Sequence, residues 1–180
     1  MKESAEITIL PYCWLAVCKA FFGRYPNPYA RHVVSEDTVH QEVKDGKYLS
    51  KRIFCKTATT PLPNWIQRIV KKPQVVILEE ASIDLCAKRL ISLTRNHDHR
   101  KLVVASETTV YIPSYFDPNK TVMTRRTTVR SPLNGITGRM IERFCHAGAI
   151  KNAKLAVQGF LHILARNDGR STRKQDTIFG

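Results

Sequence analysis

The chain has 180 residues, is 43% hydrophobic, and carries 29 basic against 15 acidic side chains, a formal net charge of +14. That length suits one domain, and that apolar content supports a core, which excludes a disordered chain. A positive excess of this size implies an anionic partner or surface, and it admits both nucleic acid and acidic lipid.

The opening segment "MKESAEITIL" has two glutamates within six residues, so it reads as neither a signal peptide nor an Arg-rich transit peptide. No stretch approaches the roughly 20 apolar residues of a membrane-spanning helix. "AEITIL" predicts a first strand. From Pro11 to Arg24, the residues Trp14, Val17, Phe21 and Phe22 recur at helical spacing, with Pro11 at a tolerated first-turn position. Tyr25 and Asn27 each precede a proline and are pushed to extended geometry, so "YPNP" turns the chain. Six strand-like segments follow, at 32–43, 47–57, 74–85, 89–96, 101–112 and 121–130. Asp45-Gly46 and Asp117-Pro118-Asn119 are turn signals between neighbours. From Ile136 to about Arg166 there is no proline and the spacing is helical, which predicts a helix on the order of 45 Å long. Its weakly apolar face carries Ile141, Phe144, Cys145, Gly148, Leu155, Gly159, Phe160, Ile163 and Leu164. "NDGRSTRKQDTIFG" reads as a polar tail, so residues 1–168 form the expected domain and 169–180 the tail.

This order predicts an α+β fold: a curved seven-stranded antiparallel sheet gripping a long C-terminal helix, with a short N-terminal helix. The middle of the long helix is rich in small residues: Ala147, Gly148, Ala149, Ala153, Ala156 and Gly159. They either permit close packing of helix on sheet or leave room for an apolar ligand.

The five cysteines, Cys13, Cys18, Cys55, Cys86 and Cys145, form an odd set without CxxC spacing and read as buried free thiols. "NHDH" at 96–99 imitates a metal site but reads as a turn between strands, and the histidines lack HExxH spacing. No metal and no cofactor are expected. There is no Gly-rich phosphate loop, GxSxG elbow or catalytic triad. Glu79 with Glu80, and Glu36 with Asp37, are adjacent strand residues that face opposite ways, which makes poor acid/base pairs. The expected activity is therefore not enzymatic.

Five segments appear in order: "RYPNPYARHVVSEDTVHQEV", "DGKYLSKRIFCKT", "LPNW", "TRNHDHRKLVVASETTVY" and "QGFLHILA". The set resembles the PRELI family of intermembrane-space lipid-transfer proteins over roughly residues 5 to 166. Within that family, "HVVSEDTVHQEV" looks more like the phosphatidic-acid branch than the phosphatidylserine-handling slowmo branch. The resemblance implies a helix-grip cup enclosing a lipid cavity. It also implies transfer of phosphatidic acid between mitochondrial membranes across the intermembrane space, contact with an acidic membrane surface, and a small helical-hairpin chaperone with twin cysteine motifs as partner. Phosphatidylserine transfer by the same fold is the alternative. A basic nucleic-acid-binding module is the other class the charge admits; no RNP-like aromatic motif or zinc finger supports it, and no nucleic acid is expected.

A phosphatidic-acid cup needs cations among apolar residues, because an unpaired phosphate charge in a low-dielectric cavity is costly. Read from the residues alone, Arg24 is a cation at a helix C-terminus, favourable with the dipole by about 0.3–1 kcal/mol. The resemblance moves it into the head-group site. Arg52 and Lys56 are four apart on one strand and share a sheet face, which is either solvated or part of the site, while Lys51 points the other way. The resemblance favours Lys56, since the family has a lysine at the matching "KT" step. Lys151 and Lys154 lie within reach of one another on the last helix, either on an exposed face or toward the head group. Gly148 and Leu155 stand near places where relatives tend to be basic, which leaves that role to Lys151 or Lys154 or to other contacts. "TTPLPNWIQRIVKK" at 59–72 places Trp65, Ile66, Ile69 and Val70 on one apolar side beside Arg68, Lys71 and Lys72. It reads as a short helix packed on the core or as a lid that opens at the membrane, and the resemblance implies the lid.

Overall fold

The computed structural model describes residues 1–57 and 74–176. Strand β1 (Lys2–Leu10) leads into helix α1 (Trp14–Phe21). A meander follows: β2 (Val33–Lys44), β3 (Lys47–Thr57), β4 (Gln74–Asp84), β5 (Arg89–Asn96), β6 (Val104–Pro113) and β7 (Thr121–Arg130). Helix α2 (Gly135–Asp176) completes the described chain. All neighbours pair antiparallel in one seven-stranded sheet of order β1-β7-β6-β5-β4-β3-β2. This is the predicted α+β architecture, with both predicted helices in place.

Among the boundaries that differ from the sequence reading, three have a clear local reason. Helix α1 stops at Phe21 rather than Arg24: Phe22 is its C-cap, and Gly23 N donates to Ala20 O at 3.2 Å, before the two prolines intervene. Strand β6 begins at Val104 rather than Lys101, because the "NHDH" segment is a turn. His99 takes a left-handed φ of 55°, and its carbonyl accepts from Leu102 N (2.8 Å) and Val103 N (3.0 Å). The Asn96 side chain ties the turn off by donating to Asp98 O and Val103 O and accepting from Ala105 N. Among the described residues no group of His, Cys, Asp and Glu is placed to hold a metal. Finally, α2 continues to Asp176, through most of the segment read as a polar tail, since no proline stops it. All five cysteines are free, yet only Cys18 is buried; Cys13 and Cys86 are exposed.

The strand register sorts the concave face into rows, because side chains two apart on a strand share a face. One row is apolar: Tyr48, Ile83, Leu90, Tyr111 and Met123 stand side by side across β3 to β7. Trp14, Val17 and Phe21 of α1 pack on it together with Phe160, Ile163 and Leu164 of α2. Each fully buried large side chain here contributes about 1.5–3 kcal/mol. Trp14 Nε1 also donates to Tyr111 O at 3.1 Å, which fixes α1 over the sheet.

The next two rows are polar. Ser50, Ala81, Ser92, Thr109 and Arg125 form one; Arg52, Glu79, Thr94, Glu107 and Thr127 form the other. A helix face of alanines has little to offer such a floor. The gap between α2 and these rows is where the site lies.

Candidate functional site

A cavity of about 240 Å³ lies between the sheet and α2. Ser92, Thr109 and Arg125 of one polar row and Glu79, Thr94, Glu107 and Thr127 of the other form its floor. Ala149, Asn152, Ala153, Ala156 and Val157 of α2 form its roof, with Phe160 at the end nearest the core. Phe21, Arg24, Tyr25, His32, Phe54 and Lys56 make one wall. The small residues of α2 fall in two places. Ala149, Ala153 and Ala156 line the cavity, whereas Gly159 serves close packing, since a Cβ there would collide with the Asn27 carboxamide.

Arg24 is placed by the turn that follows α1. Asn27 Nδ2 donates to Arg24 O at 2.7 Å, and Asn27 Oδ1 accepts from Tyr29 N at 3.0 Å, which closes the "YPNP" segment on itself. The Tyr25–Pro26 peptide bond is cis. Arg24 Nη1 donates to Phe21 O at 2.7 Å, the helix-end carbonyl that the dipole argument anticipates. Its other terminal nitrogen pairs with Glu79, and its guanidinium lies 4.1 Å from the Phe21 ring centroid. Burial alone would lower the Arg24 pKa, but the Glu79 carboxylate raises it further above its ordinary value, so the group is a permanent cation. Helix-end cation and cavity-wall cation are thus one geometry.

Arg52 lies beneath the wall: it is 2% exposed and does not line the cavity. Its Nε donates to Glu79 Oε1 at 2.8 Å, its Nη2 bonds the same oxygen, and its Nη1 reaches Glu36 Oε1 at 3.1 Å and Phe22 O at 3.3 Å. The β3–β4 register sets Arg52 opposite Glu79, so the guanidinium is consumed by carboxylates beneath the wall. Glu79, 1% exposed, holds both arginines. Burial would raise its pKa, but Arg24 and Arg52 overcome that and keep it below the ordinary carboxylate value.

Lys56 lines the cavity, half-buried, with Nζ 5.6 Å from the Phe54 ring centroid. Among the described residues no carboxylate lies within ion-pair distance of it. Its field is felt by its neighbours. The His32 imidazole sits below its ordinary pKa, first through burial and then through Lys56. Burial pushes the Tyr25 phenol up, but Lys56 and Arg24 together bring it below its ordinary value. Both shifts mark this wall as electropositive.

Lys151 and Lys154 are both exposed, and neither lines the cavity. At 3.6 residues per turn, the face carrying Ala149, Ala153 and Ala156 turns them toward solvent. The lid residues Trp65, Ile66, Ile69 and Val70 lie outside the described residues.

Sequence reasoning missed Glu79, His32, Tyr25, Glu107 and Arg125 as members of the site. Parity was an available signal for two of them. Glu79 is in phase with buried Ala81 and Ile83, and Arg125 with buried Met123, Thr127 and Val129. Arg125 is 6% exposed; its Nη1 donates to Ala153 O at 3.0 Å, and its Nε lies 3.5 Å from Glu107 Oε1.

A curved antiparallel sheet closed over one long helix, with a side-chain-lined cavity between them, defines the helix-grip class of folds. Solved structures of this architecture match the chain. A START superfamily protein from Mycobacterium smegmatis covers 90% of this chain and 98% of its own at a TM-score of 0.52 and 11% identity. The Zhui aromatase/cyclase from Streptomyces sp. R1128 covers 92% and 94% at a TM-score of 0.60 and 10% identity. At such identities the likeness is one of fold alone. Sequence is more specific. The signature of the PRELI-like family matches residues 16–170. "PRELI domain-containing protein 1, mitochondrial" of Mus musculus is 34% identical over 171 residues, 93% of this chain and 77% of that protein. "Protein ups1 homolog" of Schizosaccharomyces pombe is 30% identical over 158 residues, 87% of this chain and 91% of that protein. The chain belongs to the PRELI-like family.

Proposed function

We propose that this protein is a mitochondrial phospholipid-transfer protein that carries phosphatidic acid across the intermembrane space. One observation carries the head-group choice. The cavity wall holds a lysine, Lys56, with no carboxylate partner among the described residues, next to Arg24. Counting the wall and its support, Arg24, Arg52 and Lys56 stand against Glu79 and Glu36, three cations to two anions, a net charge of +1. A phosphate monoester supplies the missing anion. Lys56 meets it as a point charge, and Arg24 meets it through guanidinium N–H groups. His32, neutral at its lowered pKa, adds a hydrogen bond rather than a charge.

The mitochondrial assignment and the lipid cargo are supported by family membership and by relatives whose names include "mitochondrial". The excess of positive charge draws the protein to an acidic membrane surface. The cavity, at about 240 Å³, is smaller than the roughly 300–1,000 Å³ of typical small-molecule sites. The phosphate, glycerol and ester groups therefore fill it beneath the alanines of α2, and the rest of the acyl chains run beyond it. Shielding those chains is favourable by about 0.8 kcal/mol per methylene. Transfer needs no bond to be made or broken. A small helical-hairpin partner with twin cysteine motifs is part of the same reading and rests on the family resemblance.

Native mass spectrometry of the purified protein tests the proposal. Phosphatidic acid is expected to co-purify with the wild type and to be lost in Lys56→Gln. Bound nucleic acid with a steep salt dependence, and no lipid, would overturn it.

A further inference from the structure

The cavity floor poses a problem that the head-group wall does not solve. Hydrocarbon chains alone would lie against Thr94, Glu107, Thr109 and Arg125, all of which line the cavity. Arg125 Nε is buried and makes no hydrogen bond among the described residues, with Glu107 Oε1 3.5 Å away. An occupant without acceptors would leave that N–H unsatisfied.

Charge separates this floor from the wall. Arg125 stands between two carboxylates, Glu107 at 3.5 Å and Glu6 at 3.9 Å, so the floor carries no positive excess where the wall does. A second phosphate has no claim on such a floor, whereas an uncharged acceptor suits it. In a glycerophospholipid, the groups next to the phosphate are the two ester carbonyls of the acyl chains. We infer that Arg125, aided by the Thr109 hydroxyl beside it in the register, forms a second subsite that accepts an acyl-ester carbonyl, so the cavity prefers diester phospholipids over their diether counterparts. This rests on the lipid-phosphate reading above. The roof contributes as well: Arg125 Nη1 is anchored on Ala153 O, which holds the guanidinium edge in place across the cavity.

The test measures binding of dioctanoyl phosphatidic acid and of its dioctyl ether analogue to the full-length protein by calorimetry. The two lipids share the phosphate and differ in the carbonyls. The wild type is expected to bind the diester about ten-fold more tightly, the effect of one hydrogen bond to a charged group. Arg125→Met combined with Glu107→Gln, which removes the two facing charges together, is expected to weaken diester binding more than diether binding and so erase that preference. Equal wild-type affinity for the two lipids overturns the subsite, as does an equal loss for both in the double variant. If that variant fails to fold, the wild-type comparison decides alone. Binding of neither lipid by the wild type would defeat the lipid-phosphate reading and this one with it. Equal affinities that Lys56→Gln lowers by the same factor would defeat only the ester subsite.

Discussion

Glu79→Gln is the most informative single change. The carboxylate is 1% exposed and accepts from Arg24 and twice from Arg52. Glutamine keeps the size but removes the charge, leaving Arg24 without an anion and Arg52 with Glu36 alone among the described residues. Breaking a buried pair by removing one partner costs about 3–5 kcal/mol. At about 2–4 °C per kcal/mol for a domain of this size, the melting temperature falls by about 6–20 °C. The effect has a defined pH dependence. Glu79 has a folded pKa below its unfolded value, so its contribution is complete above the ordinary carboxylate range and is lost as pH falls through the folded value. The gap between wild type and variant is therefore widest near neutrality and closes in acid. Circular-dichroism melts across pH measure it. Equal melting temperatures near neutrality, or a gap that does not change with pH, would refute the ion-pair account. A third consequence follows for the ligand. With Glu79 neutral, a bound phosphate takes its place as the anion beside Arg24, so phosphatidic acid raises the melting temperature more in the variant than in the wild type.

Three further outcomes follow from the same geometry. Arg24→Glu sets a second carboxylate against buried Glu79, so it lowers stability by at least about 3 kcal/mol as well as stopping lipid binding; an unchanged melting temperature would contradict the Arg24–Glu79 pair. Gly159→Ala gains about 1 kcal/mol of helix propensity but pushes on Asn27, for an overpacking cost of about 1–3 kcal/mol. Net destabilisation with weaker short-chain lipid binding is expected, because Asn27 holds the Arg24 carbonyl, and net stabilisation would speak against it. Lys151→Gln with Lys154→Gln leaves the affinity for a short-chain lipid within about two-fold, since both side chains face solvent; a ten-fold loss would return them to the head-group site.

The sequence carried the strands well because alternation and turn signals are local. The spans 47–57, 89–96 and 121–130 coincide with β3, β5 and β7. Parity also gave the right face for Arg52 and Lys56. It could not give the neighbour across the sheet. Arg52 meets Glu79 only through the β3–β4 register, and the sequence of residues 58–73 between those strands offers no two-residue turn signal from which to count. Sequence reasoning therefore treated Arg52 as an available cation and Glu79 as an unremarkable strand residue. The phase of α2 was hard to read for another reason. Its cavity face is made of alanines, which leave a faint stripe, so Lys151 and Lys154 were not assigned a direction. The helix extends past Arg166 into a polar segment where periodicity offers no signal and only the absence of proline hints at continuation. Arg24 was placed by its surroundings: the "YPNP" turn fixes it, and physical chemistry alone gave the correct helix-end contact but not the pairing with Glu79.

The central claim is that the Arg24–Lys56 wall makes this cavity a carrier for phosphate-monoester lipids. Liposome-to-liposome transfer across a panel of head groups tests it most directly, with wild type and Lys56→Gln side by side. The account predicts transfer of phosphatidic acid in preference to phosphatidylserine, with the preferred transfer falling about ten-fold or more in the variant while its melting temperature holds, because Lys56 has no carboxylate partner among the described residues to strand. Faster transfer of phosphatidylserine, or undiminished transfer of phosphatidic acid by Lys56→Gln, would contradict it.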